Sequence, residues 1–305
     1  MILVKAAAAT LLASALASAT ACSGSSRAPD AEKASAAGGA AVVACTISTL
    51  CSLVAAVGGA DVDVHGIVPV GASPETYEPT PSDVVAVARA RILFENGLGL
   101  EVWLDKLLTS AASPHLTRVR LANAVPAAQR PTGNPHLWMD PTYASAYVSE
   151  IASVLEATDR KHAGRYAARA AQEQAKLAVL DRWIRARIAT IPPDHRAMIC
   201  FHDAWYYFDR RYGIENVGAI EPYPGQEPPP GYFAHLVTLA RAHHVRAVFG
   251  EPQFSSKLAI ALQSEAGIAV FTNLYDDTLG TTADLSDYEA MMRYDVATIV
   301  AALRR

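Results

Sequence analysis

Short apolar runs alternate with longer amphipathic runs along most of the chain, and this alternation limits the possible folds more than any other feature. Runs such as Ala41–Ala44, Ile92–Phe94 and Ala197–Cys200 have the length and composition of buried strands. The segments between such runs repeat apolar residues at helical spacing. Strands that alternate with helices are typical of parallel sheets covered by helices on both faces. The sequence therefore predicts an α/β fold.

The same patterns place the remaining predicted elements. Further strands are expected at Val62–Val64, Val119–Ala122, Val245–Phe249 and Ile268–Phe271. Helices are expected at Leu98–Leu108, Phe233–His243, Lys257–Ala266 and Tyr288–Leu303.

The middle of the chain has a different pattern. Residues 159–191 contain no Pro and only one Gly, Gly164, and they are rich in the helix formers Ala, Arg, Lys, Gln and Glu. A helix of about 30 residues is about 45 Å long, which is longer than one small domain requires. Pro192 and Pro193 would end it. We therefore expect a rigid spine helix between an N-terminal lobe, 41–158, and a C-terminal lobe, 192–305, with ligands bound between the lobes at the carboxyl ends of the strands.

The N-terminus has the pattern of an export signal. Lys5 is followed by an uncharged run, 6–21, which is too short to span a bilayer but fits the apolar region of a secretory signal. Small residues precede Cys22, and this arrangement resembles a bacterial lipoprotein signal in which Cys22 carries the lipid that anchors the protein to the membrane. Plain cleavage after Ala21 is the alternative. Residues 22–40, rich in Ser, Gly and Ala, would form a flexible tether.

Composition excludes two classes of protein. The chain is 51% hydrophobic with a net charge of only −4, so it is not disordered. It has no long basic run that would release counterions from phosphates, so nucleic acid is not an expected partner.

Cys45 and Cys51 could pair across a strand-to-helix turn, but we expect these two and Cys200 to be small buried apolar residues.

Four polar segments each follow a predicted strand and precede a helix, two in each half of the chain. They are residues 74–83, 134–141, 200–205 and 275–280. Because the carboxyl ends of parallel strands face the cleft, an imidazole or carboxylate from each segment would converge on a single ion.

These segments closely resemble the solute-binding proteins of bacterial ABC transporters for zinc and manganese. The resemblance covers nearly all of residues 41–305, and its most specific parts are Tyr-Glu-Pro-Thr-Pro-Ser-Asp at 77–83 and Asn-Pro-His-Leu-Trp at 134–138. It implies two α/β lobes on a spine helix and an exported monomer that captures a divalent metal ion. The ion would be delivered to a membrane permease, and the protein would not be an enzyme.

The resemblance also implies the metal ligands. His136 and His202 match ligand histidines of the family, and Asp277, with Asp276 as the alternative neighbour, matches the carboxylate ligand. The first ligand departs from the family pattern, because Pro74 is followed by Glu75 where the family usually has His. If Glu75 instead faces solvent, three ligands and a water would remain.

The identity of the metal depends on Glu75. Two histidines with two carboxylates favour Mn²⁺ or Fe²⁺ when compared with a site of three histidines. Zn²⁺ also accepts these ligands and generally outcompetes Mn²⁺. The sequence therefore slightly favours Mn²⁺ and leaves Zn²⁺ open.

Two other functions are kept as alternatives. A secreted metallohydrolase would need an open metal position and a general base, a role that Glu75 could fill if it does not coordinate. No His-Glu-x-x-His motif supports this function. A surface adhesin is the second alternative, since relatives of the family are described as adhesins.

Asp140 and Asp203 lie in the polar segments 134–141 and 200–205, and we expect them to cap helices rather than to bind metal.

Overall fold

The computed structural model describes residues 40–226 and 228–305, and Ala40–Arg305 forms one compact unit. The predicted signal, 1–21, and nearly all of the predicted tether, including Cys22, lie outside the described residues. None of the helices in the described part of the chain has the length and hydropathy needed to cross a bilayer.

The described residues form two four-stranded parallel sheets. The first sheet has the order β2-β1-β3-β4, and the second has the order β6-β5-β7-β8. Their strands are β1 Ala41–Cys45, β2 Val62–Gly66, β3 Ile92–Glu95, β4 Thr117–Arg120, β5 Ala197–Cys200, β6 Glu215–Ala219, β7 Ala247–Phe249 and β8 Ala269–Phe271. The α-helices are α1 Ser48–Gly58, α2 Pro81–Arg89, α3 Leu104–Ala111, α4 Pro141–Thr158, α5 Ala163–Ile188, α6 Tyr206–Tyr212, α7 Pro230–Ala242, α8 Lys257–Ala266 and α9 Tyr288–Leu303. The predicted α/β class with two parallel sheets is confirmed.

The inner strands of each sheet, β1, β3, β5 and β7, are largely buried, as their apolar composition requires. All four residues of β3 and all four of β5 are buried. In the first sheet β1 pairs with β2 on one side and β3 on the other, and in the second sheet β5 pairs with β6 and β7 in the same way. The order in which successive strands are added reverses at β1 and at β5, and this switch point opens a crevice at the carboxyl ends of the strands.

The predicted spine is present as α5. Its 26 residues correspond to about 39 Å at the α-helical rise. Near its start, Arg169 donates to the carbonyl oxygens of Val57 and Gly58 at the end of α1, each at 2.6 Å. Near its end, Asp181 accepts from Arg211 of α6 at 2.7 Å. The helix therefore connects the N-terminal sheet layer with the segment that follows the first strand of the second sheet.

Several predicted boundaries are wrong. The spine helix is shorter than 159–191, since a separate turn of 3-10 helix precedes it at Arg160–His162. The helix expected at Leu98–Leu108 begins only at Leu104, because three successive residues from Gly97 to Gly99 have positive φ angles of 85°, 56° and 84°. A helix cannot continue through left-handed backbone.

The sequence pattern located two strands of mixed polarity, β4 and β6, poorly. The strand expected at Val119–Ala122 lies at Thr117–Arg120, where Arg118 and Arg120 pair with the buried Glu95 at 2.8 and 2.7 Å. As an edge strand it tolerates charged side chains, which obscure the apolar pattern. The sequence gives no apolar run for β6, the edge strand of the second sheet, because its residues are Glu-Asn-Val-Gly-Ala.

The expectation that Cys45 and Cys51 are unpaired apolar residues is wrong. They form a disulfide with a Cα–Cα distance of 5.4 Å, which closes the turn from β1 into α1. Cys45 is the last residue of β1, close to the start of α1, and Cys51 lies in the first turn of α1. Cys200 is a buried free thiol, as expected.

Candidate metal site

The loops that follow four strands place one polar side chain each at the crevice. Glu75 lies in the loop after β2, His136 in the segment after β4, His202 two residues after β5, and Asp277 in the loop after β8. Their donor atoms all lie within 4.8 Å of one another. The structure thus brings together all four side chains that the sequence singled out.

The distances between donor atoms suit a shared cation. The Nε2 atoms of His136 and His202 are 3.1 Å apart, and Asp277 oxygens lie 3.3 Å from the first and 3.6 Å from the second. Glu75 Oε1 lies 3.6 Å from His136 Nε2 and 3.9 Å from His202 Nε2. Four ligands about 2.1 Å from a metal ion in tetrahedral geometry are about 3.4 Å apart.

Burial makes this cluster costly without a cation. The side chains of His136, His202 and Asp277 are at most 3% exposed, and Glu75 is 17% exposed. Neither carboxylate oxygen of Asp277 accepts a hydrogen bond from the described residues. A buried carboxylate without partners is strongly unfavourable. A divalent cation would supply the missing partner, and its charge would be balanced by the two carboxylates.

Asn134 orients the His136 ring. Its side-chain oxygen lies 3.0 Å from the backbone nitrogen of His136 and 2.9 Å from the ring Nδ1. With Nδ1–H donating to this oxygen, Nε2 is left as the free acceptor that faces the cluster. The Asn134 amide nitrogen also donates to the carbonyl oxygen of Asp203 at 2.6 Å. One amide therefore connects the two loops that carry the histidines.

Glu251 orients the His202 ring in the same manner. The ring Nδ1 lies 2.8 and 3.0 Å from the two oxygens of Glu251, which is 3% exposed. A carboxylate on the remote nitrogen fixes the tautomer and raises the basicity of a metal-binding imidazole. Gln253 donates to Glu251 at 2.9 Å and holds this carboxylate in place.

Asp276 and Asp277 take different positions. Asp277 points into the cluster of four donors, whereas Asp276 Oδ2 lies 4.0 Å from His202 Nδ1, on the opposite side of that ring. Asp276 Oδ1 accepts from the backbone nitrogen of Asp277 at 2.7 Å, which supports the turn that presents Asp277. This geometry favours Asp277 over its neighbour as the donor.

The loop that carries Glu75 is held by hydrogen bonds on both sides of Glu75. Trp103 donates from its indole nitrogen to the carbonyl oxygen of Pro74 at 2.6 Å. Further on, Thr80 and Asp83 form a capping box at the start of α2, and Tyr77 donates to Asp83 at 2.8 Å. The residues around Glu75 therefore hold its backbone in place, while the carboxylate stays partly accessible.

The charges of the cluster shift the pKa of each member. Burial lowers the pKa of His136, but the adjacent Asp277 outweighs it and raises the pKa to about 9. Burial likewise opposes protonation of His202, yet Glu251 and Asp276 raise its pKa well above the usual range. Burial and the charge of Glu75 raise the pKa of Asp277 to about 6. Without a cation, the neighbouring carboxylates therefore favour protonation of both histidines.

The two aspartates expected to cap helices differ in outcome. Asp140 caps α4 by accepting from the backbone nitrogen of Thr142 at 2.8 Å, as predicted. Asp203 does not cap α6, because that helix begins only at Tyr206 and has no side-chain cap. The carboxylate of Asp203 instead accepts from Asn134 at 3.2 Å.

Neither Asn134 nor Glu251 was among the residues predicted for the site. A signal for both was present, since each is a polar residue in a loop at the carboxyl edge of a parallel sheet, where ligands bind. Periodicity alone cannot show which ring a distant side chain contacts.

Comparison with known proteins places the chain in context. The family model ZnuA, described as zinc-uptake complex component A periplasmic, matches residues 43–302. The manganese-binding lipoprotein MntA of Halalkalibacterium halodurans is 31% identical over 239 residues, which cover 78% of this chain and 80% of MntA. The iron-binding protein YfeA of Yersinia pestis is 29% identical over 241 residues, covering 77% of this chain and 78% of YfeA.

Two solved structures share the fold. The periplasmic zinc-binding protein TroA of Treponema pallidum superposes with a TM-score of 0.81 at 24% identity, covering 88% of this chain and 100% of TroA. A manganese-bound periplasmic metal-binding protein of Candidatus Liberibacter asiaticus superposes with a TM-score of 0.77 at 22% identity, covering 86% of this chain and 99% of the other.

Proposed function

Because the chain belongs to the ZnuA family of metal-binding components of ABC transporters, we propose that it binds its cargo cation through Glu75, His136, His202 and Asp277. It is a solute-binding protein and not an enzyme. The hydrolase and adhesin alternatives are therefore set aside.

The observation that carries this proposal is the buried Asp277 carboxylate. Neither of its oxygens has a hydrogen bond from the described residues. One oxygen lies 3.3 Å from His136 Nε2 and the other 3.6 Å from His202 Nε2. A cation at the centre of the cluster would satisfy the carboxylate and both imidazoles at once. With Glu75 as the fourth ligand, the protein would close the coordination sphere, as in sites that bind metal without catalysis.

Relatives of this chain are named for different metals, so the cargo must be argued from its own donors. MntA is named for manganese, YfeA for iron and TroA for zinc. Two imidazoles and two carboxylates suit Mn²⁺ and Fe²⁺ better than a site richer in histidine does, and Zn²⁺ accepts the same donors. We propose a divalent transition metal, with Mn²⁺ slightly favoured over Zn²⁺.

Export and delivery complete the proposal. Relatives named as lipoproteins of metal transporters support a location outside the cytoplasm and a permease as the partner. We propose that Cys22 is lipidated and anchors the protein at the outer face of the cytoplasmic membrane. We also propose that the protein acts as a monomer.

Metal titration of the purified mature protein tests the function. After chelator treatment, the protein should bind one equivalent of Mn²⁺ or Zn²⁺, and substitution of Asp277 by Ala should abolish tight binding. Substitution of the exposed Asp284 by Ala, in the same long loop, is the matched control and should bind like wild type. Wild-type protein that binds neither metal would refute the proposal.

The role of Glu75 is tested by two substitutions. Glu75→Ala should weaken binding at least tenfold, because it removes one of four ligands, and Glu75→His should shift the preference toward Zn²⁺. Competition between Mn²⁺ and Zn²⁺ measures both effects. The exposed Glu78, three residues later, provides the control Glu78→Ala. Unchanged affinity of Glu75→Ala would remove Glu75 from the site.

A further inference from the structure

A single hydroxyl beside the site connects two distant parts of the chain. Thr278, which follows Asp277 and is 1% exposed, accepts a hydrogen bond at its Oγ1 from the backbone nitrogen of Gly71 at 2.7 Å. The same oxygen lies 3.3 Å from Oγ of Ser48, the first residue of α1. These partners are 207 and 230 residues away in sequence.

The donors and acceptors in this contact form one consistent set. The Thr278 hydroxyl donates to the carbonyl oxygen of Leu279 at 3.0 Å, so the Ser48 hydroxyl must donate to Thr278. The Ser48 oxygen in turn accepts from the backbone nitrogen of Leu279 at 2.8 Å. Every hydroxyl proton is used, and we call this set of Ser48, Gly71, Thr278 and Leu279 the latch.

The latch lies between two of the four donors. Gly71 is four residues before Glu75 in the same loop, and Thr278 directly follows Asp277. On the other side of Asp277, the carbonyl oxygen of Asp276 accepts from the indole nitrogen of Trp138 at 2.8 Å. Because the Asp277 carboxylate accepts no hydrogen bond within the described part of the chain, its position depends on these backbone attachments.

We propose that Thr278 and Ser48 are positioning residues that hold Asp277 against the Glu75 loop and thereby slow the dissociation of the cation. This inference rests on the proposed function. The cation can leave only when its donor loops separate, and separation of the Asp277 loop from the N-terminal half breaks the latch. The latch therefore adds to the barrier for release without contacting the metal.

Metal dissociation rates test this role. Thr278→Val, which keeps the side-chain shape but removes the hydroxyl, should release the metal about three- to tenfold faster, the effect expected for one lost hydrogen bond. Ser48→Ala should act in the same direction, and the double variant should show less than the product of the two effects, because both residues belong to one contact. The readout is loss of bound Co²⁺ or Mn²⁺ to excess chelator.

A matched control and a spectroscopic readout separate positioning from general damage. Thr238→Val alters a hydroxyl that bonds only within α7, to Ala234 at 3.1 Å, and should leave the rate unchanged. The visible absorption of bound Co²⁺ should be the same in all variants, because the ligands are intact. Rates within twofold of wild type for both latch variants, or effects that simply multiply, would overturn the latch.

Failure of the latch is distinguishable from failure of the proposed function. If wild type binds metal and the latch variants release it at the wild-type rate, only the latch is wrong. If wild type binds no metal, hydrogen exchange of the metal-free protein still tests the latch. The Leu279 amide should then exchange faster in Ser48→Ala than in wild type, and equal exchange would refute the contact.

Discussion

At the scale of the residue, the behaviour of the site is determined by two imidazole nitrogens and two carboxylates whose donor atoms lie within 4.8 Å of one another. Without a cation, protonation of His136 and Asp277 offsets part of the cost of burying these four side chains, as their raised pKa values indicate. At the proposed site, a divalent ion would replace those protons and satisfy the Asp277 carboxylate. Proton binding and metal binding would therefore compete for the same atoms.

This competition predicts a rise of metal affinity with pH. His136 has a pKa of about 9 in the metal-free protein, so below that value a proton must leave before Nε2 can coordinate. Affinity should increase about tenfold or more per pH unit up to about pH 9, and should fall more steeply below about pH 6, where Asp277 also becomes protonated.

Calorimetric titration checks the pH prediction. Binding enthalpies measured at about pH 7 in two buffers of different ionisation enthalpy should reveal the release of at least one proton per metal ion. Equal affinity at about pH 6 and about pH 8, with no proton release, would contradict the assignment of the histidines as ligands.

Glu251 should matter for metal binding although it does not reach the cluster of four donors. Glu251→Gln keeps the size of the side chain but removes the negative charge that accepts from His202 Nδ1. We expect affinity to fall by about 10- to 100-fold, the usual cost of altering such a partner. Competition with a chelator of known affinity measures the loss. The exposed Glu265→Gln on α8 is the control, and equal affinity of both variants would argue against orientation by Glu251.

At the scale of the element, the loops after parallel strands determine which residues meet. The strands were predictable where both faces are buried, as in β3 and β5, because a fully apolar run leaves little alternative. The edge strands β4 and β6 were shifted or missed because solvent tolerates polar residues there. The start of α3 was wrong because Gly97, Leu98 and Gly99 all have positive φ angles, which the spacing of apolar residues does not reveal.

The site was more predictable than these boundaries. Motif resemblance supplied Glu75, His136, His202 and Asp277, and the fold brings them together. Asn134 and Glu251 could not be assigned, since their roles depend on contacts between loops that lie 66 to 69 residues or 49 residues apart in sequence. The Cys45–Cys51 disulfide was considered but not favoured, because spacing alone does not determine side-chain direction.

The disulfide should stabilise the turn between β1 and α1. Cross-linking residues six apart restricts the unfolded chain and contributes about 2 kcal/mol to the free energy of unfolding. For a protein of this size, reduction should lower the melting temperature by about 3–4 °C. Thermal melts with and without reductant measure this shift.

A double substitution provides the control for that experiment. Cys45→Ala with Cys51→Ala should melt at a lower temperature than wild type and should not respond to reductant. A wild-type melting temperature that is equal with and without reductant, after thiol labelling confirms that the disulfide has been reduced, would contradict a stabilising role.

At the scale of the whole molecule, α5 limits how the protein can open. The helix is bonded at one end to α1 and at the other to α6, and α9 packs along it. A large hinge rotation would break these contacts, so release must rely on loops and on local movement near the second sheet. Small-angle scattering should therefore give the same radius of gyration for the metal-free and metal-loaded protein, and a clear decrease on loading would contradict a rigid spine.

The most direct test of the shared site is an anomalous-diffraction crystal structure of the metal-loaded protein. One anomalous peak should lie about 2.0–2.3 Å from Nε2 of His136, Nε2 of His202 and a carboxylate oxygen of each of Glu75 and Asp277. A peak elsewhere on the molecule, or one that touches fewer than three of these side chains, would contradict the account.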